Sequence, residues 1–571
     1  MSFDLIIRGG TIVDGAGMPG YRADIGVTDG IIAEIGDLSG ELADEIMDAE
    51  GMVVAPGFID GHTHMDAQVF WDDIGSNSCW HGVTSVVMGN CGFSMGPCAE
   101  KDKDLVLHNL ERAEDIPREA MIAGIPWSWE TYPEYLDTVE ALPKGINYAG
   151  FVGHSALRTH AMGERAMEEQ ATPEDLEGMK GQLADSIRAG ALGFSTSRTF
   201  SHRLPTGKPV ASRLASWQEV EELTNVMAEL GTGIFQIARE NIITDDEERQ
   251  IEHDQIKNLC VDTGVPVTFG GTWFKRPHPE AWRSQFRMVD ETIAAGGKMM
   301  IQGTATWNGS LRSFETATPY DMIPVWKPFR QLPLAEQEAG LRDPEMRKKL
   351  VDAVNNHVHK PDPTLPNLYQ RPVDWDWVFP YDRTLPPFRT MTQVAAERGV
   401  APIDAFIDLA LEHHLKLFFI QPSFNEDQDY VLAHIRHPNS VVTFSDAGAH
   451  VATTCSPIHG HLLGHWVRNA EAIPLEMAIR KITFDIANFW GLKNRGWLHE
   501  GYCADITVFD PHTVAPGLPK LHHDLPAGAS RIKQKTDGIK ATIVNGEVLM
   551  RDNQHTGALP GQLIRGPLAH N

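Results

Sequence analysis

A chain of 571 residues is too long for one ordinary core, and its 42% hydrophobic and 22% charged residues are a globular balance, so a large domain with a smaller companion is expected. The 49 basic and 77 acidic residues leave a formal charge of −28, which argues against a nucleic-acid partner because little basic surface remains to neutralise phosphate. No apolar run reaches the length of a membrane span.

The opening "MSFDLIIRGG" lacks a basic segment followed by an apolar core, so no secretory leader is expected. Six cysteines (Cys79, Cys91, Cys98, Cys260, Cys455, Cys503) are few and follow no framework spacing, which reads as reduced thiols in the cytoplasm. Short alternating runs then follow, "FDLIIRGGTIVDG", "ADIGVTDGIIAEIG" and "DEIMDAEGMVVAPG", broken by Gly and Asp-Gly. They predict hairpins. The other end repeats the style in "GYCADITVFDP" and "GIKATIVNGEVLMRD". Residues 1–56 and 491–571 are therefore expected to form one small β domain.

Next comes "APGFIDGHTHMDAQVFW", with His62 and His64 at the end of an apolar run. Strand side chains alternate with period two, so both imidazoles point to one face. Two imidazoles there suit a shared metal ion, although an isolated His-x-His reads more readily as core histidines or a polar strand end. "GVTSVVMGNCG" is a buried strand running into a glycine-bearing loop, and places Cys91 at its end. A thiolate there suits zinc; a buried free cysteine is the other reading.

"INYAGFVGHSALR" and "GALGFSTSR" repeat the strand-then-loop pattern, the first ending at His154. Between strands lie amphipathic stretches such as "TPEDLEGMKGQLADSIRAG" and "SWQEVEELTNVMAELG". "GIFQIARE", "VPVTFGGTW", "KMMIQGTA", "LKLFFIQPS" and "SVVTFSDAGAH" read as further strands. Roughly eight strand-then-helix units predict an α/β fold, a TIM-like β/α barrel over residues 57–490, whose reactive groups sit at the C-terminal strand ends. Asp446 in the last of these strands is suited to ligate an ion or take a proton from water, or to cap a helix. From about 276 to 398 the repeat is broken by Pro- and Trp-rich sequence, which reads as a long insertion acting as a lid, a binding excursion or an oligomer contact.

"APGFIDGHTHMD" with the hairpins before it, and "ANFWGLKNRGWLHEGYCADITVFDP", resemble the amidohydrolase superfamily. "GVTSVVMGNCG", "GHSALRTHAMG" and "AGALGFSTS" narrow the resemblance to the N-acyl-D-amino-acid deacylases (D-aminoacylases). That resemblance implies a barrel with a small β-sandwich built from both ends, and a metal-dependent amide hydrolase. His62, His64, Cys91 and Asp446 match the family's His pair, bridging cysteine and aspartate. Two further histidines belong at the ends of the fifth and sixth strands. Here those places hold Gln236, Arg239 and Glu240, and Gly271 to Trp273, without histidine. One ion is therefore expected, zinc first, with other divalent metals left open.

Asp446 and His154 are the expected catalytic groups, Asp446 moving the proton and His154 stabilising the oxyanion. Arg158, Ser197, Arg198, Glu240 and His450 are the expected substrate contacts. Glu240 also reads as a substitute carboxylate ligand or base, and more readily as a salt-bridge partner of an arginine; His450, His459, His461 and His465 read as replacement ligands or as loop histidines near the mouth. The partner is then a small molecule, with no nucleic acid or membrane, and a homo-oligomer left open. Hydrolysis of a lactone, ester or cyclic amide on the same scaffold is the alternative, followed by a non-catalytic binding protein.

Overall fold

The computed structural model describes residues 2–242, 244–271, 278–360, 371–451 and 457–570. Trp273, Cys455 and positions 276–277 and 361–370 lie outside these residues. Eight parallel strands run in chain order: β1 (Phe58–Asp60, resumed at His62–Thr63), β2 (Val83–Met88), β3 (Asn147–Gly153), β4 (Gly193–Ser197), β5 (Ile234–Ala238), β6 (Val267–Gly270), β7 (Met299–Gly303) and β8 (Ser440–Val442, resumed at Phe444–Ala447). Each pairs with the next, and the β2 and β3 strands are buried at every position, as expected of parallel strands covered on both sides.

Both end strands are interrupted by a single residue, Gly61 in β1 and Thr443 in β8, and their upper halves pair, Phe444 opposite His62 and Ala447 opposite Thr63. The Gly61 N–H donates to the Thr443 hydroxyl at this kink, and His64 N–H donates to the Ala447 carbonyl at 2.8 Å. Barrel closure therefore brings His62, His64 and Asp446 together. The helices on the outside start and stop where local chemistry says they should. Pro173–Ala189 opens on a reciprocal Thr172–Asp175 capping box and ends at left-handed Gly190. Trp217–Leu230 is capped by Ser216 and ends at Gly231.

The boundaries of the insertion need correction. Residues 283–303 continue the barrel, as helix Arg283–Ala294 and strand β7. The excursion lies instead between β7 and β8, and "LKLFFIQPS" belongs to it. Its strand Phe419–Phe424 pairs antiparallel with Asn308–Arg312 and Phe379–Pro380, not with the barrel. A core of its own, with Phe314, Tyr320, Trp326, Leu350, Phe406 and Phe419, supports this unit. Hydrophobic burial on that scale makes it a folded layer rather than a flexible loop.

Strands from both chain ends share one nine-stranded sheet, joined where Val53–Pro56 pairs antiparallel with Ile506–Phe509. Not all of 491–571 stays in it. Residues 515–537 form two nested antiparallel strand pairs, and Arg531 from the inner one reaches buried Asp72 at 2.7 Å in the loop after β1. The final residues run beside β3, with Ile564 N–H donating to the Tyr148 carbonyl. Among the described residues no helix is long and apolar enough to cross a membrane.

Candidate metal centre

At the C-terminal rim, β1 supplies His62 and leads into His64, the loop after β2 supplies Cys91, and β8 supplies Asp446. All four are buried. His62 Nε2 stands 3.3 Å from Cys91 Sγ and 3.4 Å from Asp446 Oδ1, and His64 Nε2 stands 3.6 Å from the same carboxylate oxygen. The other ring nitrogen of His62 donates to Gln302 Oε1 at 2.6 Å. That bond fixes the ring and leaves Nε2 as the free donor, the arrangement metal-binding imidazoles need.

The loop that presents Cys91 depends on backbone few residues adopt. Gly89 has φ +79°, and a Cβ there would lie 2.2 Å from the Phe151 carbonyl oxygen; Cys91 itself has φ 57°. Gln236, at the place of the absent fifth-strand histidine, accepts a hydrogen bond from Cys91 N–H at 2.7 Å. It holds the loop through its side chain without joining the donor cluster.

Sequence reasoning missed two residues at this centre, Glu114 and His202. Glu114 Oε2 lies 3.3 Å from His64 Nε2 and 3.6 Å from His450 Nε2, and Oε1 lies 3.9 Å from His202 Nε2. His202 Nδ1 shares a 2.8 Å hydrogen bond with Ser197 Oγ. Neither residue ends a strand. Each sits in a loop, where no periodicity announces burial; the only signal was that His202 follows the β4 end by five positions.

Charge is crowded here. Burial pushes the Cys91 thiol well up, and the Glu114 and Asp446 carboxylates push it further. Burial drives His62 down to about 4, so its imidazole is neutral at physiological pH. For His64 burial acts downward, but Glu114 and Asp446 carry the ring above its ordinary value. Burial would raise Asp446, yet hydrogen bonding to His64 and the charges of His62 and His450 hold it low. Imidazole, thiol and carboxylate donors converge, with the ligand atoms of His62, His64 and Cys91 all within 4.8 Å of one another. Buried His64 Nδ1 and Glu114 Oε1 form no hydrogen bond within the described residues. Such a donor set fits a divalent ion of zinc's class.

His154 and Arg158 lie away from the centre, contrary to expectation. His154 donates from Nε2 to Glu219 at 2.8 Å and meets Thr196 Oγ1 through Nδ1 at 2.8 Å. Both nitrogens are engaged and the ring is fully buried, so it has no group left for an oxyanion. Arg158, equally buried, pairs with both Glu219 oxygens at 2.6 Å and with the Glu169 carbonyl. The reason is register: Thr196 lies on the outward face of β4, so this trio packs among the helices. Glu219→Gln is expected to cost about 3–5 kcal/mol of stability by leaving a buried guanidinium half-paired. Denaturant unfolding measures this, with kcat and KM held within about twofold; lost turnover at unchanged stability would return the trio to the chemistry.

Ser197 acts through His202. Arg198 is engaged by Glu240 at 3.1 Å and by the Ala215 carbonyl, so the pair closes the rim at the ends of β4 and β5 and does not meet the donor cluster. His450 does meet it, held between Glu114 and Asp115. Burial opposes its charge, but hydrogen bonding to Asp115 and the nearby carboxylates raise it to about 10, making it a cation. His459 and His461 are buried instead of lying at the mouth. A cavity of about 590 Å³ is lined by Gly233, Lys298, Trp490 and neighbours and by none of these donors.

Comparison with known proteins agrees with this architecture. The profile of the Amidohydrolase family matches residues 45–550. D-aminoacylase of Alcaligenes xylosoxydans xylosoxydans is 28% identical over 565 residues, covering 98% of this chain and 97% of its own. A solved structure of D-aminoacylase, described for its binuclear metal center, superposes with a TM-score of 0.66 at 24% identity over 99% of this chain and 100% of that one. N-acyl-D-glutamate deacylase from Bordetella bronchiseptica, complexed with zinc and a phosphonate inhibitor, gives 0.64 at 23% identity with the same coverage. These two likenesses establish the barrel fold.

Proposed function

This chain belongs to the amidohydrolase family, and from that premise we propose that it hydrolyses the amide bond of N-acylated D-amino acids. The observation that carries the reading is the buried convergence of His62, His64, Cys91 and Asp446 at the strand ends. The likeness to a D-aminoacylase over nearly the whole chain supports the substrate class. His62, His64, Asp446 and Cys91 would hold a divalent ion, zinc by preference. When bound, it supplies Lewis acidity, which makes water nucleophilic near neutral pH and polarises the scissile carbonyl.

The chain's own groups do the rest. Asp446 Oδ1, directed between the two imidazoles, accepts the proton of the attacking water and returns it to the departing amine. Gln302 keeps His62 in the tautomer that leaves Nε2 unprotonated. His450, cationic and part-exposed beside Glu114, is the substrate contact assigned to the acid function of the amino acid.

Turnover by purified, zinc-loaded protein tests the reading. N-acetyl-D-amino acids are expected to exceed their L-enantiomers in kcat/KM by roughly two powers of ten or more. Faster turnover of lactones, simple esters or cyclic amides, with N-acyl-D-amino acids inert, would overturn it.

A further inference from the structure

We propose that Arg203 and Arg213, in the loop after β4, form an anion subsite for the acyl end of the substrate. The preferred substrates are then D-amino acids acylated by a dicarboxylic acid, through a succinyl or glutaryl group. The inference rests on the hydrolase reading above and names the acyl group that it leaves open.

Residues 198–213 carry Arg198, Arg203, Lys208 and Arg213 and no acidic residue, in a chain whose formal charge is −28. Arg198 and Lys208 are neutralised by Glu240 and Glu168. Arg203 and Arg213 are not. Arg203 donates from Nε to the Phe200 carbonyl and from Nη1 to that of Gly207, and Arg213 donates from Nη1 to the carbonyls of Phe200 and His202. Those bonds fix both guanidiniums without cancelling their charge. Among the described residues neither meets a carboxylate, and Nη2 of each donates to nothing. Burial and the charges of Arg203 and Arg198 lower the pKa of Arg213, as happens to a cation held among like charges.

Phe200 is the second observation. Its ring is 67% exposed and carries both cations, with the guanidinium carbons of Arg203 and Arg213 at 4.0 and 5.5 Å from its centroid. An apolar ring left in water beside two unpaired guanidiniums matches methylenes that end in a carboxylate. Placement decides which end of the substrate arrives there. Glu114 faces His450 through Oε2 and His202 through Oε1. An amide at the donor cluster with its α-carboxylate on His450 therefore turns its acyl group toward His202, whose own carbonyl holds Arg213 at 3.2 Å. One histidine residue spans the gap between cluster and guanidinium, a reach suited to the few methylenes of a succinyl or glutaryl chain.

Three matched substrates test the subsite on purified, zinc-loaded protein: N-succinyl-D-leucine, N-acetyl-D-leucine and N-acetyl-D-glutamate. Wild type is expected to favour the succinyl compound over N-acetyl-D-leucine by about ten- to a hundredfold in kcat/KM, mainly through KM. That preference should shrink in high salt, because the contacts are charged and open to solvent. Arg203→Met combined with Arg213→Met is expected to bring the ratio near one, and lysine at both positions to recover part of it. If the two arginines only brace the loop, the methionine variant loses both substrates alike and keeps the ratio, which would overturn the proposal. Should that variant fail to fold by circular dichroism, the wild-type salt series decides, and a salt-insensitive preference counts against the subsite. N-acetyl-D-glutamate outrunning N-succinyl-D-leucine would put the anion on the amino-acid side chain and overturn the acyl assignment. Wild type favouring N-acetyl-D-leucine would overturn the subsite and leave the hydrolase reading standing, whereas no turnover of any of the three would overturn both.

Discussion

Asp446→Asn is expected to lower kcat for N-acyl-D-amino-acid hydrolysis by roughly two to four powers of ten while leaving the fold intact. Asp446 sits at φ 52°, in the left-handed region, which asparagine adopts as readily as aspartate. The amide also matches the carboxylate in volume, so the β8 end is not forced to move. What disappears is the acceptor: an amide takes no proton from water and gives none to an amine. Amines leave poorly unless protonated, so the loss falls on kcat more than on KM. If Asp446 only capped the turn that follows β8, asparagine would cap equally well and turnover would survive. Steady-state kinetics on the variant, with its melting temperature alongside, separates the two; near wild-type kcat would remove Asp446 from the mechanism.

How far the sequence reached this picture depended on whether the information was periodic. The barrel was legible because parallel strands buried on both faces leave runs such as "GVTSVVM", and the helices between them carry their own caps. His62 and His64 were conspicuous through strand alternation, and Cys91 and Asp446 through position at strand ends. Glu114 and His202 offered nothing comparable, since loop burial is a product of tertiary packing. His154 misled for a related reason. It too follows a strand, yet its ring turns to the outward face of β4, and a run of letters does not distinguish the two sides of a strand end. The same ambiguity placed "LKLFFIQPS" in the barrel, because a buried antiparallel strand inside an insertion is as apolar as a parallel one.

Removing the imidazole pair is the most damaging change expected. In His62→Ala with His64→Ala, the ion proposed to sit on these rings and Asp446 loses two of its donors, and kcat/KM falls by at least about four powers of ten. The structure also says what this costs the fold. The His62 ring stacks on Phe444 at 3.9 Å and donates to Gln302, so alanine leaves a cavity and an unpaired amide oxygen where β1 meets β8. The destabilisation should be about 2–5 kcal/mol, measured by denaturant unfolding, and survivable because the closure of β1 on β8 also uses backbone bonds such as His64 N–H to Ala447 O. Added zinc should not restore turnover, since Asp446 and Cys91 are too few donors to hold the ion at that position. A folded variant with wild-type kcat/KM would mean that hydrolysis proceeds without this pair, and the centre would have to be sought elsewhere on the rim.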